Sequence, residues 1–344
     1  MPKRIVRVPT SGRLAELDLV SYGRRGTHTP VQFTVAHIEQ IERTVRGVPE
    51  VLIKVSGGGK SAAAVQAHLA YIDRHGRLEV LTDEGETLKG KGVAEYLVDD
   101  WNLYVGKGQY WPAAQTGAKD RRPKQVHNLV FSMPAGTEPT KLLAATQKFA
   151  REKFKLRYRY AMVLHTDQQH PHVHVVVKAV SEQGERLYIR KPTLRDWREA
   201  FARYLGELGV AANATPTALR GRTKSWQRDG IYRALKRGAS TFMRRRLQKL
   251  AEGLQRGRLA RERGKARLLS TRERVVEDWR ATATVLGRQG QQSLAGEVET
   301  YLRQMRPAAT DQERLAQGLV ARLAAQRLRI IVPKPGHSTD ERTR

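Results

Sequence analysis

The chain has 344 residues, with 63 lysines and arginines against 34 aspartates and glutamates, a formal net charge of +29 and a pI near 10.8. That imbalance lies far outside an ordinary soluble enzyme and points to a polyanionic partner bound in a salt-sensitive way, nucleic acid above all. The absence of cysteine excludes disulfides, thiolate metal sites and cysteine nucleophiles and is compatible with a reducing cytoplasm. No stretch approaches the roughly 20 apolar residues of a spanning helix, so no membrane insertion is expected.

Residues 1–48 read as an N-terminal extension, basic at its start but without the apolar core of a secretory signal. One helix is predicted in it, from Thr34 to Arg46. Residues 49–215 mix strand-like and helical runs: Val51 to Val55, Ser61 to Ile72, Val126 to Ser132, Thr140 to Phe154, Tyr160 to Thr166, His172 to Val180 and Leu194 to Leu208. Such a mixture predicts one compact domain with a single core. Within it, Gly57-Gly58-Gly59-Lys60-Ser61 resembles the end of a nucleotide-binding loop. The glycine that such a loop needs five positions before Gly59 is replaced by Lys54, so ATP hydrolysis is not expected and Ser61 reads as a helix cap.

Residues 216–344 are arginine-dense and predicted to be mainly helical, with basic patterns that lack a broad apolar face and a frayed tail from Pro333. The runs Met243-Arg244-Arg245-Arg246 and Arg256-Gly257-Arg258 favour nucleic-acid contact over plain solvation. Trp226, Tyr232 and Phe242 interleave with Arg222, Lys224 and Arg228, as residues that stack bases or dock the segment do.

The densest chemistry lies in Leu164-His165-Thr166-Asp167-Gln168-Gln169-His170-Pro171-His172-Val173-His174, which holds four of the chain's ten histidines. On a strand His172 and His174 share one face while Val173 and Val175 take the other. The apolar run from Arg159 to Leu164 and the polar loop with Pro171 predict a β-hairpin that brings His165 beside them. Spacing alone admits His170 as the third ligand. His165 is preferred, because three alternate residues of one extended strand spread too far to converge on one ion. Three imidazoles suit zinc, cobalt or nickel among others.

In a basic protein such an ion suggests phosphodiester chemistry, which then needs a nucleophile. Lys60 to Ile72 reads as an alanine-rich helix with Val65, Leu69 and Ile72 on one stripe and Tyr71 in its last turn. Arg74, His75 and Arg77 follow closely enough to steady a phosphate. An isolated tyrosine in that position more often simply packs, and the nearby histidines narrow those odds without reversing them.

Three segments in order carry a resemblance: Tyr71-Ile72-Asp73-Arg74-His75-Gly76-Arg77-Leu78-Glu79, Val130-Phe131-Ser132-Met133-Pro134-Ala135-Gly136-Thr137, and His165-Thr166-Asp167 through His172-Val173-His174. Together they resemble the motifs of the conjugative relaxases of the P-type mobilisation family, which includes the T-DNA border endonucleases. The likeness covers about residues 50 to 215; its third motif is highly specific, its second moderately, its first weakly.

The resemblance implies an α+β HUH endonuclease fold, a central antiparallel sheet flanked by helices. It implies a site- and strand-specific nickase that attacks a transfer origin through one tyrosine, becomes linked to the DNA 5′ end and rejoins the strand after transfer. By it Tyr71 is the nucleophile, Ser132 lies near the scissile strand, and His165, His172 and His174 hold Mg2+ or Mn2+. Asp167 is expected to orient a ligand imidazole or to help remove the tyrosine proton. Single-stranded origin DNA, relaxosome accessory proteins and a secretion coupling protein are the implied partners, in the bacterial cytoplasm or transferred with the DNA. Lys178, where many relatives have asparagine, and Gln169, which replaces an acidic residue, depart from the pattern. The competing readings are a non-catalytic DNA-binding protein with a structural ion and an HUH replication initiator; the absence of a second nearby tyrosine argues against initiators that use a tyrosine pair.

Overall fold

The two runs around the histidine loop pair as neighbouring strands inside a six-stranded antiparallel sheet. The computed structural model of the chain describes residues 32–104, 122–154, 156–222, 240–257, 262 and 264–331. Its contacts divide into two units, one holding residues 33–215 and the other residues 216–344.

In the first unit the chain runs α1 (Val35–Val45), β1 (Leu52–Gly57), α2 (Ala62–Ile72), β2 (Val80–Thr82), β3 (Thr87–Leu88), α3 (Val93–Asp100), β4 (Val126–Ser132), α4 (Pro139–Phe154), β5 (Tyr160–His165), β6 (His172–Lys178) and α5 (Lys191–Glu207). The sheet order is β1-β4-β6-β5-β2-β3. Alternation along the strands divides the apolar side chains between two faces. On one face Ile53, Leu129, Phe131, Val173, Val175 and Val177 pack against Phe149 and Phe154 of α4 and Trp197 and Phe201 of α5. On the other, Ala161, Val163 and Val176 meet Val65, Leu69 and Ile72 of α2 and Leu97 and Val98 of α3.

Ser61 caps α2, its hydroxyl accepting from the Ala64 N–H at 3.3 Å, and the Val65/Leu69/Ile72 stripe is buried as its spacing predicts. Arg159 at the start of β5 bonds Asp83 at 2.7 Å, Glu84 at 3.2 Å and Asp100 at 2.6 Å, fastening the β2–β3 hairpin and α3 to the sheet. The α1 helix, predicted within the extension, belongs to this unit. Its buried Thr44 Oγ1 lies 2.6 Å from Thr215 Oγ1 and accepts from Asn213 Nδ2 at 3.0 Å.

The second unit contains α6 (Thr241–Gln255), α7 (Lys265–Arg288), α8 (Gln292–Gln304) and α9 (Asp311–Ile331). Helix α6 buries Met243 and Leu250 and exposes Arg244, Arg245 and Lys249. The basic patterns do carry apolar stripes here: Val275, Trp279, Ala283 and Leu286 of α7 are buried, as are Leu294 and Val298 of α8. Trp279 donates its indole N–H to the Leu219 carbonyl at 2.8 Å. Among the interleaved residues, Phe242 is exposed on α6, whereas Lys224, Trp226, Arg228 and Tyr232 lie outside the described residues. No described helix is long and apolar enough to cross a membrane.

Candidate metal centre and nucleophile

Register builds the centre. His165 at the end of β5 faces His172 at the start of β6, and His174 sits two residues further along opposite Val163. The ring centroids of the three histidines lie 4.7 to 5.1 Å apart, and one ring nitrogen from each falls within 4.8 Å of the others. His170 is exposed in the connecting loop and joins the cluster only through its carbonyl, which lies 3.1 Å from His172 Nδ1.

Two of the rings are held by backbone carbonyls. His165 Nε2 lies 2.6 Å from the Ile72 carbonyl, so it carries the proton and leaves Nδ1 with a lone pair. His172 Nδ1 donates in the same way to the His170 carbonyl, which frees Nε2. His174 Nδ1 is buried with no hydrogen-bond partner among the described residues. Such anchoring fixes the tautomer and aim of ligand imidazoles. Burial, then the neighbouring imidazoles, push the His174 pKa down to about 3, and burial first of all lowers that of His165. Both rings are therefore neutral at pH 7, the form that ligates a cation. Anchored, neutral and converging nitrogens with one orphaned buried atom fit a divalent ion, and they leave room for oxygen ligands from water or phosphate.

Tyr71 occupies the last turn of α2 with a side chain 53% exposed. The carbonyl of the next residue, Ile72, is the one that anchors His165, so the helix end carrying the phenol is tied directly to the cluster. Beyond it the backbone takes three left-handed steps, Arg74 at φ 58°, His75 at 57° and Gly76 at 83°. Such steps cost about 1–2 kcal/mol for each non-glycine residue and persist where the surroundings enforce them. Buried Asp73 enforces them here, its carboxylate accepting from the Gly76 N–H at 3.1 Å. Gly76 also admits no side chain, since a Cβ would stand 2.3 Å from the Gly90 carbonyl carbon.

The turn sends Arg74 back over the site. Its Nη2 lies 2.5 Å from Asp167 Oδ2 and 3.4 Å from His165 Nδ1, and its guanidinium carbon is 5.7 Å from the centre of the Tyr71 ring. Asp167 Oδ1 is 3.9 Å from His165 Nδ1, too far for a hydrogen bond, so the orienting bond on His165 comes from Ile72 instead. Asp167 holds Arg74.

Ser132 lies beside His172 on β4, but its hydroxyl is buried and donates to the Pro171 carbonyl at 3.1 Å, bracing the loop between the histidines. His75 and Arg77 are exposed, and their side chains contact none of the three histidines among the described residues. His68, one helical turn before Tyr71, escaped the sequence reading. Its ring lies 6.3 Å from that of Tyr71 and 6.4 Å from that of His174, and its buried Nε2 has no partner among the described residues. The spacing of three between His68 and Tyr71 was the available signal, because such residues share a helix face.

Residues 99–210 match the family described as relaxase, MobA/VirD2-like, nuclease domain. That span contains Ser132, Asp167 and all three histidines and begins after Tyr71. T-DNA border endonuclease VirD2 of Rhizobium radiobacter is 28% identical over 184 residues, which cover 50% of this chain and 43% of that protein. The protein of the same name from Agrobacterium fabrum is 28% identical over 202 residues, 55% of this chain and 44% of its own length. The chain thus spans less than half the length of these curated relatives. A solved structure titled "Molecular Basis of Vancomycin Resistance Transfer in Staphylococcus aureus" aligns over 49% of this chain and 99% of its own at 12% identity, with a TM-score of 0.30, too loose to bear on the site.

Proposed function

We propose that this chain, which carries a MobA/VirD2-like relaxase nuclease domain over residues 99–210, is a relaxase that nicks one strand of DNA at a transfer origin through Tyr71. The observation that carries this reading is the convergence of the His165, His172 and His174 nitrogens within 4.8 Å, on a sheet face whose flanking helix presents an exposed tyrosine. The names of the relatives, T-DNA border endonucleases, supply the substrate class by analogy.

In the reaction the Tyr71 hydroxyl oxygen bonds to phosphorus, and the bond from phosphorus to the 3′ oxygen breaks. The phenolic proton is lost and the departing 3′ oxygen gains one, so a 5′-phosphotyrosyl link and a free 3′-hydroxyl result. The phosphoester energy is kept, and the same step in reverse rejoins the strand. His165, His172 and His174 would hold a divalent cation, Mg2+ or Mn2+ by analogy, which would supply positive charge to the scissile phosphate. Arg74, steadied by Asp167, adds a second positive charge beside the phenol. Ser132 keeps the hairpin loop in place beside the strand being cut, and exposed His75 and Arg77 contact flanking phosphates. Partners beyond DNA, namely relaxosome accessory proteins and a coupling protein, follow from the same analogy, as does a cytoplasmic location.

The test is a labelled single-stranded oligonucleotide spanning the transfer origin, incubated with Mg2+ or Mn2+. Wild type is expected to yield a covalent adduct that EDTA prevents and Tyr71→Phe does not form, with oligonucleotide affinity little changed. Binding without an adduct from either protein would refute the enzyme and favour a DNA-binding module with a structural ion.

A further inference from the structure

We propose that His68 is the positioning partner of His174, accepting a hydrogen bond from its Nδ1 when an ion is bound, so that ion binding fastens the helix of Tyr71 to the cluster at a second point. This rests on the reading of the three histidines as a metal centre.

A neutral imidazole that gives one nitrogen to an ion carries a proton on the other, and that proton needs an acceptor. Backbone carbonyls meet the need for two of the three rings, Ile72 for His165 and His170 for His172. His174 has no such carbonyl. Its Nδ1 is buried without a partner among the described residues, while its Nε2 is open to solvent and free to ligate. An ion on Nε2 therefore leaves a buried N–H unsatisfied, which is costly.

His68 holds the complementary orphan. Its Nε2 is likewise buried without a partner among the described residues, and its ring stands at 71° to that of His174 with the centroids 6.4 Å apart. The Nδ1 of His68 is open to solvent, so it can keep the proton and leave a lone pair on the inward Nε2. The two rings are roughly 1 Å beyond the separation of an N–H···N hydrogen bond. A cation on the far nitrogen makes the His174 N–H a stronger donor, and His68, half-buried on α2, needs only a small side-chain rotation to meet it.

The place of His68 gives the bond a second consequence. It lies one turn before Tyr71, with the two rings stacked at 27° and 6.3 Å apart. Helix α2 is already tied to the cluster through the Ile72 carbonyl. A second tie three residues before Tyr71 makes the placement of the phenol depend on the ion.

The test is Mn2+ titration of the full chain by calorimetry in wild type, His68→Phe and His68→Gln, with the melting of the ion-free proteins measured alongside. Phenylalanine keeps the ring and removes the acceptor; the glutamine carbonyl restores one. His68→Phe is expected to weaken Mn2+ binding about 10- to 100-fold with an unchanged ion-free melt, and His68→Gln to recover most of that loss. In hydrogen exchange, Mn2+ should slow the amides of α2 in wild type and in His68→Gln but not in His68→Phe. Unchanged Mn2+ affinity in His68→Phe, including the case where only adduct formation slows, would overturn the proposal. Equal losses in both variants, or a lowered ion-free melt that accounts for the loss, would overturn it too, since His68 would then serve packing alone. The two readings separate because the readout is ion binding. No saturable Mn2+ binding in wild type refutes the metal centre itself, whereas wild-type binding that ignores His68 refutes only this partnership.

Discussion

The two faces of the central sheet are built from the same strands and do different work. Along β6, Val173, Val175 and Val177 enter a core of interlocking aromatics, with Phe131 and Phe149 centred 4.9 Å apart and Phe154 and Trp197 5.5 Å apart. The intervening His172 and His174 turn to a face where two buried imidazole nitrogens, on His68 and His174, lack partners among the described residues. Unsatisfied buried polar atoms are costly, and folded proteins keep few of them. The contrast teaches that one face is given wholly to packing, while the other combines the core under α2 and α3, around Val163 and Val176, with a site that spends part of that stability. A shift of one residue in the β6 register would exchange the two sets.

The sharpest way to break this division is to remove a residue from each face and look for opposite consequences. His174→Ala should abolish adduct formation and saturable Mn2+ binding by calorimetry, while leaving most of the charge-driven affinity for DNA and a cooperative melt. If melting and ion binding are lost together, the ion serves the fold and the division fails. Phe149→Ala on the other face should cost about 3–5 kcal/mol in denaturant unfolding, with unchanged Mn2+ affinity in the fraction that remains folded.

A smaller effect probes the turn that joins Tyr71's helix and the cluster. Gly76→Ala places a side chain at φ 83° against Gly90, and should cost at least about 1–2 kcal/mol. It should also slow adduct formation more than Mn2+ binding falls, because the turn aims Arg74 rather than the histidines. Smallest of all, Asp167→Asn, which keeps the shape and removes the charge holding Arg74, should lower the adduct rate modestly with little change in Mn2+ affinity, His165 being oriented by the Ile72 carbonyl. A loss of Mn2+ binding as large as that of His174→Ala would instead give Asp167 the orienting role read from the sequence.

Much of the histidine face was legible because it depends on period two. The β5–β6 hairpin, the shared side of His172 and His174, and the Val65/Leu69/Ile72 stripe of α2 all follow from alternation and helical spacing. The β2–β3 hairpin and α3 were not, since strands of three and two residues show no period and their place depends on pairing with the distant β5 and on Arg159. Arg74 reads as a phosphate contact in one dimension. Its pairing with Asp167 depends on a left-handed turn at two non-glycine residues, which composition does not announce. The role of His68 likewise depends on which side of α2 meets the sheet. In the second unit the density of arginine masked the stripe of Val275, Trp279, Ala283 and Leu286.

The most direct measurement is to digest the adduct formed with labelled origin DNA and locate the modified peptide by mass spectrometry. The nucleotide should be found on Tyr71, in a peptide whose modification disappears when the ion is chelated. Attachment to any other tyrosine, or adduct formation that persists in Tyr71→Phe, would contradict a centre built from that phenol and the three histidines.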